Sequence, residues 1–178
     1  VLFLAGVFKK DCSKLDLQTR KMNEYDSIPI QFTSLDKHPT NTNLLCWNCM
    51  RSFKGYPWFE PQSMTYNSKQ RKEIQFNCHG NFCSAPCVRR YIDLNTKSLS
   101  ERTDKIAMLK VEYEILTGRP IDFIPPAPPH TIMVQFGGTV RLDEYIMILA
   151  ELDSNYRQTV AQNSIMLSDG DAERFFVD

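Results

Sequence analysis

Two short cysteine pairs carry the chemistry open to this chain. Cys46-Trp-Asn-Cys49 is followed, after 33 intervening residues, by Cys83-Ser-Ala-Pro-Cys87. A C-x2-C or C-x3-C turn offers two thiolates at the bite that tetrahedral zinc takes, and two such turns complete a closed four-cysteine site. Two other readings compete with it. The four could be buried free thiols acting as small apolar side chains, or they could form disulfides. Six cysteines in 178 residues are too sparse for a disulfide-stapled domain. A closed site of this kind is structural, because catalytic zinc keeps one position open and usually has a general base beside it. A deaminase-type centre would need His-x-Glu ahead of Pro-Cys-x-x-Cys. Here Pro86-Cys87 runs into Val-Arg-Arg, and no His-x-Glu occurs. With no Walker loop, nucleophile elbow or paired carboxylates either, the expectation is a protein that is not an enzyme and whose cofactor is a structural Zn2+.

Cys78 and His79 stand just before the second pair and are also capable ligands. Cys83 and Cys87 are preferred because Ser84-Ala-Pro-Cys87 reads as the first turn of a helix. Ser84 sits at the N-cap there and proline lies where it is tolerated. The helix dipole favours thiolates at such a terminus. Cys78 then falls on the preceding strand, in the core or just behind the ligands, and an exchange of His79 for one cysteine stays open. Cys12 is isolated and reads as structural. Trp58, Arg89 and Arg90 are the candidate partner-binding residues.

These residues must be held by a small framework. The expected class is α+β: a small zinc-stabilised β/α finger module embedded in a larger irregular domain with two helices and a Pro-rich connector. The segments are an N-terminal extension over 1–43, the finger over 44–95, a helix within 96–118, a connector with a Phe-Gly-Gly turn over 119–138, and a C-terminal helix with an acidic tail over 139–178. Residues 1–8 and Ile28 to Phe32 are β-like, and Lys14 to Tyr25 reads as a short helix. Between the cysteine pairs, Phe53 to Pro61 holds turns flanking a short strand whose partner is Lys72 to Asn77. Ser98 to Thr117 is the clearest helix, with Ile106, Leu109, Tyr113 and Leu116 on one stripe. Ser100 is placed as its cap, and Gly118 with Pro120 ends it. Pro125 to Pro129 forms a stiff extended spacer, and Leu142 to Leu152 a further helix.

Lys plus Arg and Asp plus Glu number 21 each, so net charge gives no reason to expect a polyanionic partner. The distribution is uneven: 6 basic against 5 acidic in residues 1–45, 11 against 5 in 46–110, and 4 against 11 in 111–178. A basic middle can face an acidic C-terminal third within one molecule as readily as it can face nucleic acid. No run of 18 apolar residues exists, so no spanning helix is expected, and the apolar start Val1-Leu-Phe-Leu-Ala5 is too short for a signal segment.

The order of these parts is more specific than any one of them. Cys46-Trp-x-Cys49, an aromatic and proline-bearing stretch, Gly80-x-Phe-Cys-Ser-x-x-Cys87-x-x-x-Tyr91, a helix, a Pro-rich segment and Phe136-Gly-Gly138 follow one another. Over about 44–146 this resembles the FCS-type (MYM-like) zinc fingers of large nucleocytoplasmic DNA viruses, and among them the viral late transcription factor two family. The resemblance implies that Cys46, Cys49, Cys83 and Cys87 are metal ligands and that Trp47, Phe82 and Tyr91 support them. It also implies a virus-encoded, non-catalytic protein needed for late gene expression. Its partners would be other viral proteins, with nucleic acid not required, in the cytoplasm or nucleus of the infected cell. A helix offering only Arg89 and Arg90 is a poor DNA reader, which favours protein docking. The alternative is a structural virion component, a minor capsid protein bridging larger capsid subunits.

Overall fold

The computed structural model describes residues 25–67 and 73–152. The expectations for residues 1–8, for Cys12, for most of Lys14 to Tyr25 and for the acidic tail lie outside these residues. The rest is α+β, as the sequence suggests: a three-stranded antiparallel sheet and three helices. Gln31–Phe32 (β1) is short, whereas Trp58–Asn67 (β2) and Glu73–Phe82 (β3) form a hairpin of ten-residue strands. The order is β1-β3-β2, with Gln31 opposite Asn77 and Tyr66 opposite Ile74. Both strands exceed the lengths expected from sequence. Pro61 reads as a break, but it lies on the edge strand beside a shift in register between Pro61 and Ser63, where a missing N–H is tolerated.

Ala85–Asn95 (α1) follows the hairpin directly, and Leu99–Thr117 (α2) follows α1. Ser98, not Ser100, caps α2: its side chain accepts the Glu101 N–H at 3.4 Å, the arrangement of a Ser-x-x-Glu start. Gly118, at φ 71°, ends the helix in the left-handed region. The single apolar stripe expected on α2 is in fact two. Ile106, Leu109 and Tyr113 meet a core containing Val88, Ile92, Met133 and Tyr145, whereas Met108, Val111, Ile115 and Leu116 meet Phe32, Phe59 and Phe76 beneath the sheet. The helix therefore lies between two cores.

The chain then runs without regular structure over the first turn of α1. Ile124 and Ala127 are buried there, and the Ala127 N–H donates to the Pro86 carbonyl at 2.9 Å. The Phe-Gly-Gly turn falls as expected, with Gly137 at φ 87°. A Cβ on Gly138 would stand 2.0 Å from the Ile132 carbonyl oxygen, so only glycine closes this turn. The last helix among the described residues, 142–152 (α3), buries Tyr145 and Leu149 and leaves Ile146 and Met147 exposed. The Tyr145 hydroxyl donates to the Pro128 carbonyl at 2.8 Å, which ties α3 to the connector.

Candidate metal centre

Cys46 and Cys49 sit on a tight turn rather than a regular element. The Met50 N–H donates to the Cys46 carbonyl at 2.8 Å, and the Cys46 N–H to the Arg51 carbonyl at 2.9 Å. Met50 closes the turn at φ 58°, a conformation in which a side chain other than glycine costs about 1–2 kcal/mol. The turn is fastened to the end of β3 by the Trp47 N–H to the Asn81 carbonyl, 2.8 Å, and by Asn81 Nδ2 to the Leu45 carbonyl, 3.0 Å. Gly80, at φ 79°, makes room for this seam: a Cβ there would lie 2.6 Å from the Phe82 ring and 3.1 Å from the Trp47 ring. Trp47, Phe82 and Tyr91 form one aromatic group, with ring centroids 5.0–6.3 Å apart.

Cys83 leaves the end of β3, and Cys87 lies in the first turn of α1. Ser84 occupies the N-cap position and its carbonyl accepts the Cys87 and Val88 N–H groups. Its hydroxyl makes no capping bond and instead lies 3.8 Å from the Cys83 sulfur. The fold thus brings the turn and the helix start together. All four sulfurs lie within 4.8 Å of one another, with Cys49 to Cys83 at 3.7 Å and Cys83 to Cys87 at 3.6 Å. A disulfide needs about 2.05 Å, and the five cysteines among the described residues are free thiols. This cluster could hold a metal ion.

Two nitrogen donors face its sulfurs: Asn48 Nδ2 lies 3.5 Å from Cys87 Sγ, and Arg51 Nη2 lies 3.4 Å from Cys83 Sγ. Thiols this close oppose one another's ionisation. Hydrogen bonds from Cys49, Cys83 and Cys87 pull the Cys46 thiol far down, while hydrogen bonding to Cys46 first of all pushes Cys83 and Cys87 far up. A cation held there would remove that conflict, since a coordinating thiol is deprotonated.

Cys78 and His79 do not join the cluster. Cys78 is buried beneath the sheet, where burial and then the Glu112 carboxyl push its thiol up to about 12. His79 Nδ1 lies 3.0 Å from the Glu60 carboxylate, and its ring stands edge-on to Trp47. Of the candidate partner-binding residues, Trp58 is half-buried against Tyr113, with ring centroids 5.7 Å apart. Arg89 is occupied within the chain: Nε bonds Asp93 at 3.1 Å, Nη1 reaches the Ile124 carbonyl at 3.4 Å, and the guanidinium covers the Phe123 ring. Arg90 is half-buried, and its Nε lacks a hydrogen-bond partner. Sequence reasoning missed Asn48, Arg51, Glu60 and Lys105. Asn48 precedes Cys49 and Arg51 follows it by two residues, and that proximity is the one signal that could have flagged them.

Fold and site together define a small α+β protein built around a four-cysteine cluster able to hold a metal. The chain is 30% identical over 167 residues to protein B175L of the Vero-adapted Badajoz strain of African swine fever virus, covering 87% of this chain and 91% of that protein. It is 29% identical over 163 residues to B175L of the Pretoriuskop tick isolate, with the same coverage. It therefore belongs to the B175L family, whose viral members are described as uncharacterized, and an origin in a large DNA virus fits. No family model and no solved structure matches the chain. No helix among the described residues is long and apolar enough to cross a membrane.

Proposed function

We propose that the chain is a non-enzymatic zinc-finger protein that assists late viral transcription through contacts with other viral proteins. The observation that carries the zinc assignment is the sulfur geometry. Four sulfurs 2.3 Å from a central zinc stand about 3.8 Å apart, and the separations of 3.6 and 3.7 Å match that tetrahedron. Four soft thiolates are zinc ligands by preference. Cys46, Cys49, Cys83 and Cys87 would hold the ion, Asn48 and Arg51 would offset the excess negative charge of four thiolates, and the ion would supply cross-linking only. Four protein ligands leave no coordination position for a substrate, which supports a structural role.

The transcription reading rests on the resemblance to FCS-type viral fingers, which runs through Gly80-x-Phe-Cys-Ser-x-x-Cys87. Protein contact is favoured over base reading because Arg89 is engaged within the chain. Around the cysteine turn, Leu45, Trp47 and Met50 are 54, 40 and 50% exposed, an apolar edge better suited to a protein than to phosphate. Depleting the protein in infected cells should lower late viral messages while leaving early messages and genome copy number unchanged. Normal late messages combined with defective or unstable particles would instead place it in the virion.

A further inference from the structure

The four cysteines differ in one respect that the metal reading leaves unused. Cys46, Cys49 and Cys87 are at most 1% exposed, whereas Cys83 is only partly buried and opens onto a cavity of about 320 Å³. Trp58, Tyr113, Ile146 and Ala150 line this cavity together with Arg51 and Cys83. One water takes about 30 Å³ of liquid, so the cavity admits a small uncharged molecule. Arg51 Nη2, 3.4 Å from the Cys83 sulfur, places a fixed positive charge beside any anion formed there.

We propose that Cys83 is a modification site, the vertex of the cluster that a peroxide reaches and oxidises first; this rests on the zinc reading above. The Cys83 thiolate attacks one peroxide oxygen. An S–O bond forms, the O–O bond breaks, and the departing hydroxide leaves beside Arg51 and takes a proton from solvent. Cys49 at 3.7 Å or Cys87 at 3.6 Å then attacks the oxidised sulfur. An S–S bond forms as the S–O bond breaks, and a second hydroxide is protonated by solvent. Two thiolates have lost two electrons, one peroxide has become two waters, and two zinc ligands are gone. An ion held by the four cysteines would then keep only two protein ligands, and its release would report the oxidation.

The test uses the full zinc-loaded chain, substoichiometric hydrogen peroxide and dimedone to trap sulfenic acid. Peptide mass mapping reads the four cysteines, and a chromogenic chelator reads released zinc. Cys83 should carry the first label at least fivefold ahead of the other three, with zinc released in step. Ala150→Phe narrows the cavity from the exposed side of α3 without touching a ligand, and should slow both signals severalfold at unchanged zinc content. First labelling at Cys46, Cys49 or Cys87, or an unaltered rate in Ala150→Phe, would overturn the assignment. A chain that purifies without zinc fails the metal reading itself, a failure visible before peroxide is added.

Discussion

Lys105 and Glu60 are joined 45 residues apart, ammonium to carboxylate at 2.9 Å, with side-chain exposures of 10 and 4%. The contact crosses from α2 to β2 and locks the helix onto the hairpin that carries Cys83 at its end. His79 holds the second oxygen of Glu60, and Glu101 is the second partner of Lys105. Removing one member of a buried pair leaves a charge with neither water nor partner, which typically costs about 3–5 kcal/mol. Because His79 remains on Glu60, Lys105→Met should destabilise the chain by about 3 kcal/mol in urea unfolding. Adding Glu60→Leu to Lys105→Met should recover part of that loss. A Lys105→Met chain as stable as the parent would show that the pair contributes nothing.

Glu112 gives the fold a pH dependence of definite sign. It is 1% exposed beneath the sheet, one carboxyl oxygen accepts the Phe59 N–H at 3.2 Å, and the other has no partner. Burial pushes its carboxyl well above the usual range, only partly offset by that hydrogen bond. An unfolded glutamate loses its proton near pH 4.3, at about 1.4 kcal/mol per unit of difference. From there up to the raised folded value the native chain binds the extra proton, so stability is fully present at low pH and falls as pH rises. Glu112→Gln cannot ionise and should flatten this decline. The urea midpoints of the two chains, followed upward from pH 4.5 to 9, check it, and parallel curves across that whole range would refute it.

Gly80 is where backbone and packing coincide. Gly80→Ala meets both the left-handed backbone cost, about 1–2 kcal/mol, and a Cβ 2.6 Å from the Phe82 ring. Phe82 is fully buried and cannot swing aside, and overpacking of this kind adds about 1–3 kcal/mol. The variant should lose about 3 kcal/mol. It should also bind zinc more weakly in competition with a chelator, because Phe82 directly precedes Cys83. Wild-type affinity in Gly80→Ala would show that the aromatic seam does not position the cluster.

The site was more legible in the sequence than the framework around it. Cysteine spacing is local, and a C-x2-C turn and a helix start are each formed within five residues, so Cys46, Cys49, Cys83 and Cys87 could be picked without knowing the fold. The hairpin was harder, because Pro61 and Gly80 look like breaks until their neighbours are known to be an edge and a crowded ring. On α2, residues from two opposed faces are apolar, and a one-stripe reading describes only the half that meets Leu109 and Tyr113. The Glu60–Lys105 pair has no local signature, because charges 45 residues apart meet only after the hairpin and helix have docked. Arg89 shows the reverse: basic and on a helix it reads as partner-facing, yet the connector that occupies it arrives 35 residues later.

Metal removal tests how far the cluster reaches. Cys46, Cys49 and Cys87 are buried in the same core as Leu109 and Tyr113 of α2, Ile124 and Met133 of the connector, and Tyr145 and Leu149 of α3. Among the described residues α3 and the cysteines share this one core, so the helices would share whatever order a bound metal imposed. Structural zinc contributes about 10–16 kcal/mol of binding free energy in finger peptides, comparable to the whole stability of a domain, about 5–15 kcal/mol. A strong zinc chelator should therefore abolish most of the helical circular-dichroism signal at once, rather than melting the cysteine turn alone. One equivalent of zinc under reducing conditions should restore it. If the helical signal survives in metal-free protein, the Glu60–Lys105 lock and the Phe32–Phe59–Phe76 core hold α2 on the hairpin without the ion, and the cluster organises only its own loops.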